Sequence, residues 1–190
     1  ILLEGETGTG KTLLAQAIHN SSGRAAETFV SFNTSAMTDT LLESQLFGHE
    51  KGAFTGAANQ FRGKFEIAHK GTMFFDEIAD MSPMAQAKIL RAIEYGEFER
   101  LGAEVTHYAD VRIISATNRP LRQLTRDRQF REDLYHRLNG LTLVLPPLRQ
   151  RRKDLDALIA GELNRTAAAA GKTITGIDPG ALDRLKAYEW

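Results

Sequence analysis

"GETGTGKT", residues 5–12, follows the apolar run "ILLE" and precedes the helical pattern "LLAQAI". It fits G-x-x-x-x-G-K-[ST] between a strand and a helix, and the spacing has a chemical reason. Gly5, Gly8 and Gly10, with Glu6, Thr7 and Thr9 between them, let backbone N–H groups close around phosphate oxygens. Lys11 then reaches the terminal phosphates of a nucleotide, and the Thr12 hydroxyl can ligate magnesium. The four fixed positions arise by chance in roughly one chain per hundred of this length. The alternative is a glycine-rich turn without a ligand, which the strand and helix on either side disfavour.

Working outward, short β-branched or aromatic runs alternate with helical patterns: "ILLEG" (1–5), "TFVSF" (28–32), "GTMFF" (71–75), "VRIISAT" (111–117) and "LTLVL" (141–145). Continuous apolar runs mark parallel strands whose two faces are both covered by helices. The expectation is a doubly wound α/β core. Leu13, Leu14, Ala17 and Ile18 are expected on one inward helical face. Ser82 and Pro83 read as a cap and first helical position, with Met84, Ala87, Leu90 and Ile93 facing inward. After "PPLRQRRKD" (146–154) only helices remain. Leu155, Leu158, Ile159 and Leu163 form a stripe, Gly171 ends it, and Asp178-Pro179 opens another helix. This predicts a core over 1–148 and a partial helical subdomain over 149–190.

Composition narrows the functional classes. Twenty-four basic residues balance twenty-four acidic ones, so the positive excess expected of a nucleic-acid or anionic-membrane binder is missing. There is no cysteine, which excludes disulfides and thiolate sites and fits a reducing cytoplasm. No apolar run approaches the roughly 20 residues that span a bilayer, and no export signal opens the chain. Ile1 already lies in a strand-like run and Trp190 directly follows a helical pattern, so both ends read as cut from a longer protein.

Three further stretches bear on chemistry. In "MFFDE" (73–77) an apolar strand ends in two acids: Asp76 can hold magnesium through water and Glu77 can polarise an attacking water. "SATNRP" (115–120) puts Asn118 at the carboxyl edge of the sheet, where open α/β folds bind ligands. Asn-Arg-Pro is equally ordinary turn chemistry. In "FREDLYHRLNG" (130–140), Arg131 and Arg137 are six apart on an expected continuous helix and need not serve one intramolecular pocket. One reading supplies both to a neighbouring subunit's nucleotide, where such a finger contributes about 10³ to 10⁵ in rate. The other is a solvated helix laced with Glu132 and Asp133.

Taken together, these residues closely resemble the AAA+ ATPase domain of the bacterial sigma-54-dependent transcriptional activators, over essentially the whole chain. The most specific signature is "GAFTGA", residues 52–57. It is supported by "ESQLFGHEKGAFTGA", "QAKILRAIEYGEFERLG", "DVRIISATN" and "FREDLYHRLN". The resemblance implies a P-loop core with a parallel five-stranded sheet and a helical lid, ATP and Mg²⁺ as cofactors, and a cytoplasmic homo-oligomer, a hexamer or a heptamer. It also implies that the loop Gly52, Ala53, Phe54, Thr55, Gly56 and Ala57 touches sigma-54, with Phe54 and Thr55 as contacts. Small residues there permit close approach while Phe54 offers an apolar anchor.

By the same resemblance, Asn33 holds the catalytic Glu77 in an inactive orientation until the partner engages. Asn118 is the sensor on the fourth core strand, and Arg131 and Arg137 act across the subunit boundary. The stretch 94–112 is a second inserted hairpin that supports the GAFTGA loop. Gln45 stands where glutamate is common and Thr34 where cysteine is common. The lid's nucleotide-contacting arginine segment and the C-terminal DNA-binding module lie outside these residues. Two rival readings are another AAA+ machine, such as a helicase loader or unfoldase, and a scaffold that uses nucleotide only to assemble.

Overall fold

A computed structural model describes every residue except Ala36. The chain divides into two compact units, Ile1–Leu145 and Pro146–Trp190. The first is built on five parallel strands: β1 (Leu2–Glu4), β2 (Phe29–Asn33), β5 (Thr72–Asp76), β8 (Arg112–Thr117) and β9 (Thr142–Val144). Each corresponds to one of the five apolar runs, and their spatial order is β2-β5-β8-β1-β9. Strand alternation splits the core into two faces. Leu2, Val30, Phe32, Met73 and Phe75 pack with α2 (Asp39–Phe47), α3 (Lys64–Ile67), α4 (Pro83–Tyr95), α5 (Leu121–Arg126) and α6 (Glu132–Leu138). Leu3, Phe74, Ile114 and Ala116 turn the other way and pack with Ala15 of α1 (Lys11–Asn20). Burying each large apolar side chain stabilises the unit by about 1.5–3 kcal/mol, which is why these runs tolerate so few polar residues.

Two small antiparallel pairs interrupt this alternation. Between β2 and β5, β3 (Gly48–His49) pairs with β4 (Phe61–Arg62), and residues 50–60 project from that pair. Between β5 and β8, β6 (Glu97–Glu99) pairs with β7 (Thr106–Tyr108). Backbone bonds fuse the two insertions: Leu101 N–H donates to Gly48 O at 3.0 Å and Glu50 N–H to Leu101 O at 3.0 Å.

The helical faces differ from the apolar count. On α1 the buried residues are Lys11, Ala15 and His19, while Leu13 is 78% exposed and Ala17 is also exposed. Small Ala15 lets the helix approach the sheet, and His19 is satisfied by Thr72 Oγ1 at 2.9 Å. On α4, Ala85, Gln86, Ile89 and Ala92 are buried, whereas Met84 and Ala87 are exposed and Leu90 and Ile93 only flank the core. In both helices a buried polar residue with its hydrogen bonds met rotates the inward face away from where hydrophobicity places it. Ser82 caps α4 as expected, accepting from Ala85 N at 3.2 Å.

The second unit contains α7 (Leu155–Ala169) and α8 (Pro179–Ala187). Leu155 and Ala167 of α7 are buried, Ile159 and Leu163 are half-buried, and Leu158 faces solvent. Gly171 follows α7 at φ +63°, a left-handed stop, and Asp178 caps α8 through Ala181 N. Lys186 pairs with Asp156 at 2.7 Å, joining the two helices. Among the described residues no helix is long and apolar enough to cross a membrane.

Candidate nucleotide site and inserted loops

β1 ends at Glu4, and the chain turns at Gly5 into the loop that precedes α1. A Cβ at Gly5 would lie 2.7 Å from Leu145 O, so only glycine fits there. Gly8 and Gly10 take φ +84° and +95°, and Gly10 caps α1 in the left-handed conformation. Thr9 is buried and its Oγ1 donates to Glu6 O at 2.8 Å, which fixes the loop's curvature. Lys11, only 6% exposed, folds back so that Nζ donates to Gly5 O at 2.7 Å and Glu6 O at 3.1 Å. Thr12, next on the helix, is exposed.

Asp76 and Glu77 leave the end of β5, and β8 lies between that strand and β1. Asp76 Oδ1 accepts from Glu77 N–H at 3.1 Å. Glu77 has φ +54° and ψ +46°, a left-handed backbone that costs a non-glycine residue roughly 1–2 kcal/mol. Its carboxylate lies 4.0 Å from Lys11 Nζ and accepts from Asn118 N–H at 3.1 Å. The Asn118 side chain donates through Nδ2 to Thr7 Oγ1 at 3.0 Å. The structure therefore gathers the phosphate loop, Lys11, Glu77 and Asn118 at the carboxyl edge of the sheet. The Thr12 hydroxyl and Asp76 carboxylate are hard oxygen donors suited to magnesium.

Asn33 departs from its expected role. It pairs in register with Asp76, but its Oδ1 accepts from Ser35 N–H at 2.8 Å, and no hydrogen bond joins it to Glu77 among the described residues. A short amide at a strand end closes onto the N–H two residues ahead more readily than it reaches across. Asn118 N–H and Lys11 hold Glu77 instead.

The two arginines also sit differently from a continuous helix. Arg131 is the residue before α6, with extended ψ 135°, and only Arg137 lies within the helix. Arg131 grips Asp133 with Nε at 3.0 Å and Nη2 at 2.6 Å, which holds the Asp133 carboxyl below its ordinary range. Arg137 Nη2 donates to Ile93 O at 3.4 Å. Both are exposed and outside bonding reach of the phosphate loop.

Residues 52–57 form a closed turn. Gly52 and Gly56 take φ +84° and +105°, Gly52 N–H donates to Ala57 O at 2.9 Å, and Ala57 N–H to Phe54 O at 3.0 Å. Phe54 is half-buried, its ring edge-on to His49 at 5.0 Å, while Thr55 is exposed. Below the turn, Arg100 bonds Glu50 Oε1 at 2.7 Å and Glu66 Oε1 at 2.8 Å. A Cβ at Gly102 would lie 2.8 Å from Ala53 Cβ, so the second hairpin directly touches the turn.

Sequence reasoning missed two supports of this site. Thr34 is buried and its hydroxyl bonds Glu77 O at 2.6 Å and Asp76 O at 3.2 Å. Gln86 is wholly buried and bonds three backbone groups. Neither role has a local signal, because the partners are main-chain groups 42 to 45 residues away for all but one of these bonds.

A phosphate loop at the carboxyl edge of a sheet ordered β2-β5-β8-β1-β9, facing an acidic strand end, defines a P-loop protein of the AAA+ class. Within that class the chain belongs to the sigma-54 interaction domain family, which matches residues 1–144. It is 51% identical over 190 residues to the Nif-specific regulatory protein of Klebsiella pneumoniae, covering all of this chain and 36% of that protein. It is 48% identical over 190 residues to the formate hydrogenlyase transcriptional activator of Salmonella typhimurium strain LT2, covering 100% of this chain and 28% of that one. The crystal structure of NtrX from Brucella abortus in complex with ATP superposes with TM-score 0.87 at 38% identity, over 100% of this chain and 42% of that chain. The chain thus spans less than half the length of each.

Proposed function

We propose that the protein is a ring-forming ATPase that remodels the closed complex of sigma-54 RNA polymerase, and that GAFTGA residues 52–57 make the contact with sigma-54. The observation that carries the enzymatic half is the convergence on Glu77: Lys11 at 4.0 Å, the Asn118 N–H at 3.1 Å, and a strained backbone. Strain of this kind persists only where the surroundings over-determine it, as at working sites. The ATP-bound NtrX relative and the family match support the nucleotide and the partner.

In this reading the loop from Gly5 to Gly10 cradles the phosphates, and Lys11 exchanges its bonds to Gly5 O and Glu6 O for the terminal phosphates. Glu77 takes a proton from the attacking water. Asn118 registers the terminal phosphate, and a neighbour's Arg131 and Arg137 stabilise the charge that develops on it. Thr12 and Asp76 would hold the magnesium ion, which offsets phosphate charge when bound. Asn33 exchanges Ser35 N–H for Glu77 during turnover and so links the site to the loop. Such a shared site makes turnover per subunit rise with protein concentration as rings assemble; a rate that stays flat across the assembly range refutes it. Replacing Thr55 with alanine separates this reading from another AAA+ machine. The proposal expects near-normal hydrolysis with lost sigma-54 contact, and a general remodeller shows no such split.

A further inference from the structure

Arg131 is useful to a neighbour only if the backbone that carries it is held in place, and its own guanidinium is occupied by Asp133 within the same turn. The segment before it, residues 127–131, has no regular structure. Backbone bonds tie residues 127–130 to α5, with Gln129 N–H and Phe130 N–H donating to Leu124 O at 2.8 and 3.2 Å, and a buried side chain from another helix secures the stretch nearest Arg131. Gln86 of α4, with no exposed surface, accepts from Arg131 N–H through Oε1 at 2.8 Å. Its Nε2 donates to Gln129 O at 3.2 Å and to Met81 O at 2.9 Å. Met81 ends the short 3₁₀ turn Ile78–Asp80 that begins directly after Glu77. Phe130, between the two clamped residues, is buried. Arg119, next to Asn118, reaches the same segment from the other side through Gln129 Oε1 at 3.3 Å.

We infer that Gln86 is a positioning residue for Arg131: its amide ties the backbone before the trans-acting arginine to the segment leaving the Asp76–Glu77 strand of the same subunit. A primary amide suits this task because it offers an acceptor to an N–H and two donors to carbonyls in one rigid plane. A carboxylate keeps only the acceptor, and an apolar side chain keeps neither. Gln86 is wholly buried and its amide bonds main-chain groups, so its effect is exerted through where Arg131 stands. This inference rests on the shared-site reading, and the experiment separates the two.

The test mixes subunits. Gln86→Met keeps the volume and removes all three bonds; Gln86→Glu, run beside it, keeps the acceptor facing Arg131 N–H. Each is assayed alone and mixed in equal amounts with Glu77→Ala, whose own site is dead but whose Arg131 is intact. Arg131→Ala mixed with Glu77→Ala is the reference.

Alone, Gln86→Met should bind an ATP analogue within about twofold of the unsubstituted protein while hydrolysing ATP at least tenfold more slowly, as befits a group that acts only in the transition state. Gln86→Glu should lose less. With random placement in a ring, about a quarter of the interfaces join a live site to a sound arginine, so mixing should restore up to about that share of the unsubstituted rate. If the Arg131→Ala mixture recovers and both Gln86 mixtures give no more than the sum of their parts, the positioning role is overturned. Unslowed hydrolysis by Gln86→Met overturns it as well. If the Arg131→Ala mixture also fails to recover, the shared site falls and this inference falls with it.

Discussion

Thr34→Val tests how Glu77 is held. The substitution preserves shape and removes one hydroxyl that bonds Glu77 O at 2.6 Å and Asp76 O at 3.2 Å. Thr34 is 2% exposed, so water cannot replace the lost donor. Both carbonyls keep another partner, so the loss is that of one intramolecular hydrogen bond, about 0.5–1.5 kcal/mol. Asp76 O keeps its bond from Thr34 N–H at 3.0 Å, so the loss falls mainly on Glu77 O, which among the described residues retains Asp80 N–H at 3.0 Å.

The left-handed backbone of Glu77 carries a strain of roughly 1–2 kcal/mol, comparable to the support removed. Relaxing it rotates the carboxylate away from Lys11 and Asn118. With 1.4 kcal/mol equal to a factor of ten, kcat should fall by up to about tenfold. The phosphate loop keeps its own bonds, so KM for ATP should change by less than about twofold, the signature of an interaction used only in the transition state. Thermal unfolding should shift down by about 2–4 °C for each kcal/mol lost. Steady-state ATPase and a melting curve on one preparation measure both. Unchanged kcat together with an unchanged Tm refutes the argument that this hydroxyl maintains the Glu77 conformation.

Other expectations follow from the same geometry. Glu77→Ala should retain nucleotide and lose hydrolysis by about 10²- to 10⁴-fold, and equilibrium binding beside ATPase decides it. In Gly102→Ala the new methyl meets Ala53 Cβ at 2.8 Å on a backbone with φ +78°; sigma-54 binding should fall while hydrolysis stays within about twofold. The base of the GAFTGA loop should loosen in acid. Hydrogen bonds from Arg100 and Gln60 hold Glu50 below its ordinary range, and at Glu66 burial pushes upward but the Arg100 bonds prevail. Both carboxyls therefore titrate lower folded than unfolded, so their contribution is complete above about pH 4.3 and fades as pH falls through the lowered folded values. Hydrogen exchange at residues 50–60 across pH 6 to 3 reads this, and protection that holds steady through the range argues against it.

The strands were legible because parallel strands buried on both faces must be almost wholly apolar, and "TMFFD" or "VRIISAT" admit few other readings. The phosphate loop was legible because glycine and lysine at fixed spacing serve one chemistry. Helix faces were not, since Lys11, His19 and Gln86 are buried through satisfied hydrogen bonds that a hydrophobicity count scores as exposed. The strain at Glu77 was likewise hidden: glutamate has no preference for a left-handed backbone, and the hydroxyl that supports it comes from β2's end, 43 residues earlier. The contacts of Asn33 and Arg131 were not legible either, because their bonds to Ser35 and Asp133 are local choices that only backbone geometry decides. Phe54, expected as an anchor, rests half-buried on His49.

If hydrolysis at Glu77 is delivered to sigma-54 through residues 52–57, the hold on sigma-54 must change with the state of the bound nucleotide. The direct measurement is retention of purified sigma-54 by protein containing this chain, with and without a transition-state mimic of ATP. Retention is expected only with the mimic, and it should be lost in Thr55→Ala. Equal retention in both conditions, or retention with the mimic that Thr55→Ala leaves untouched, would contradict it.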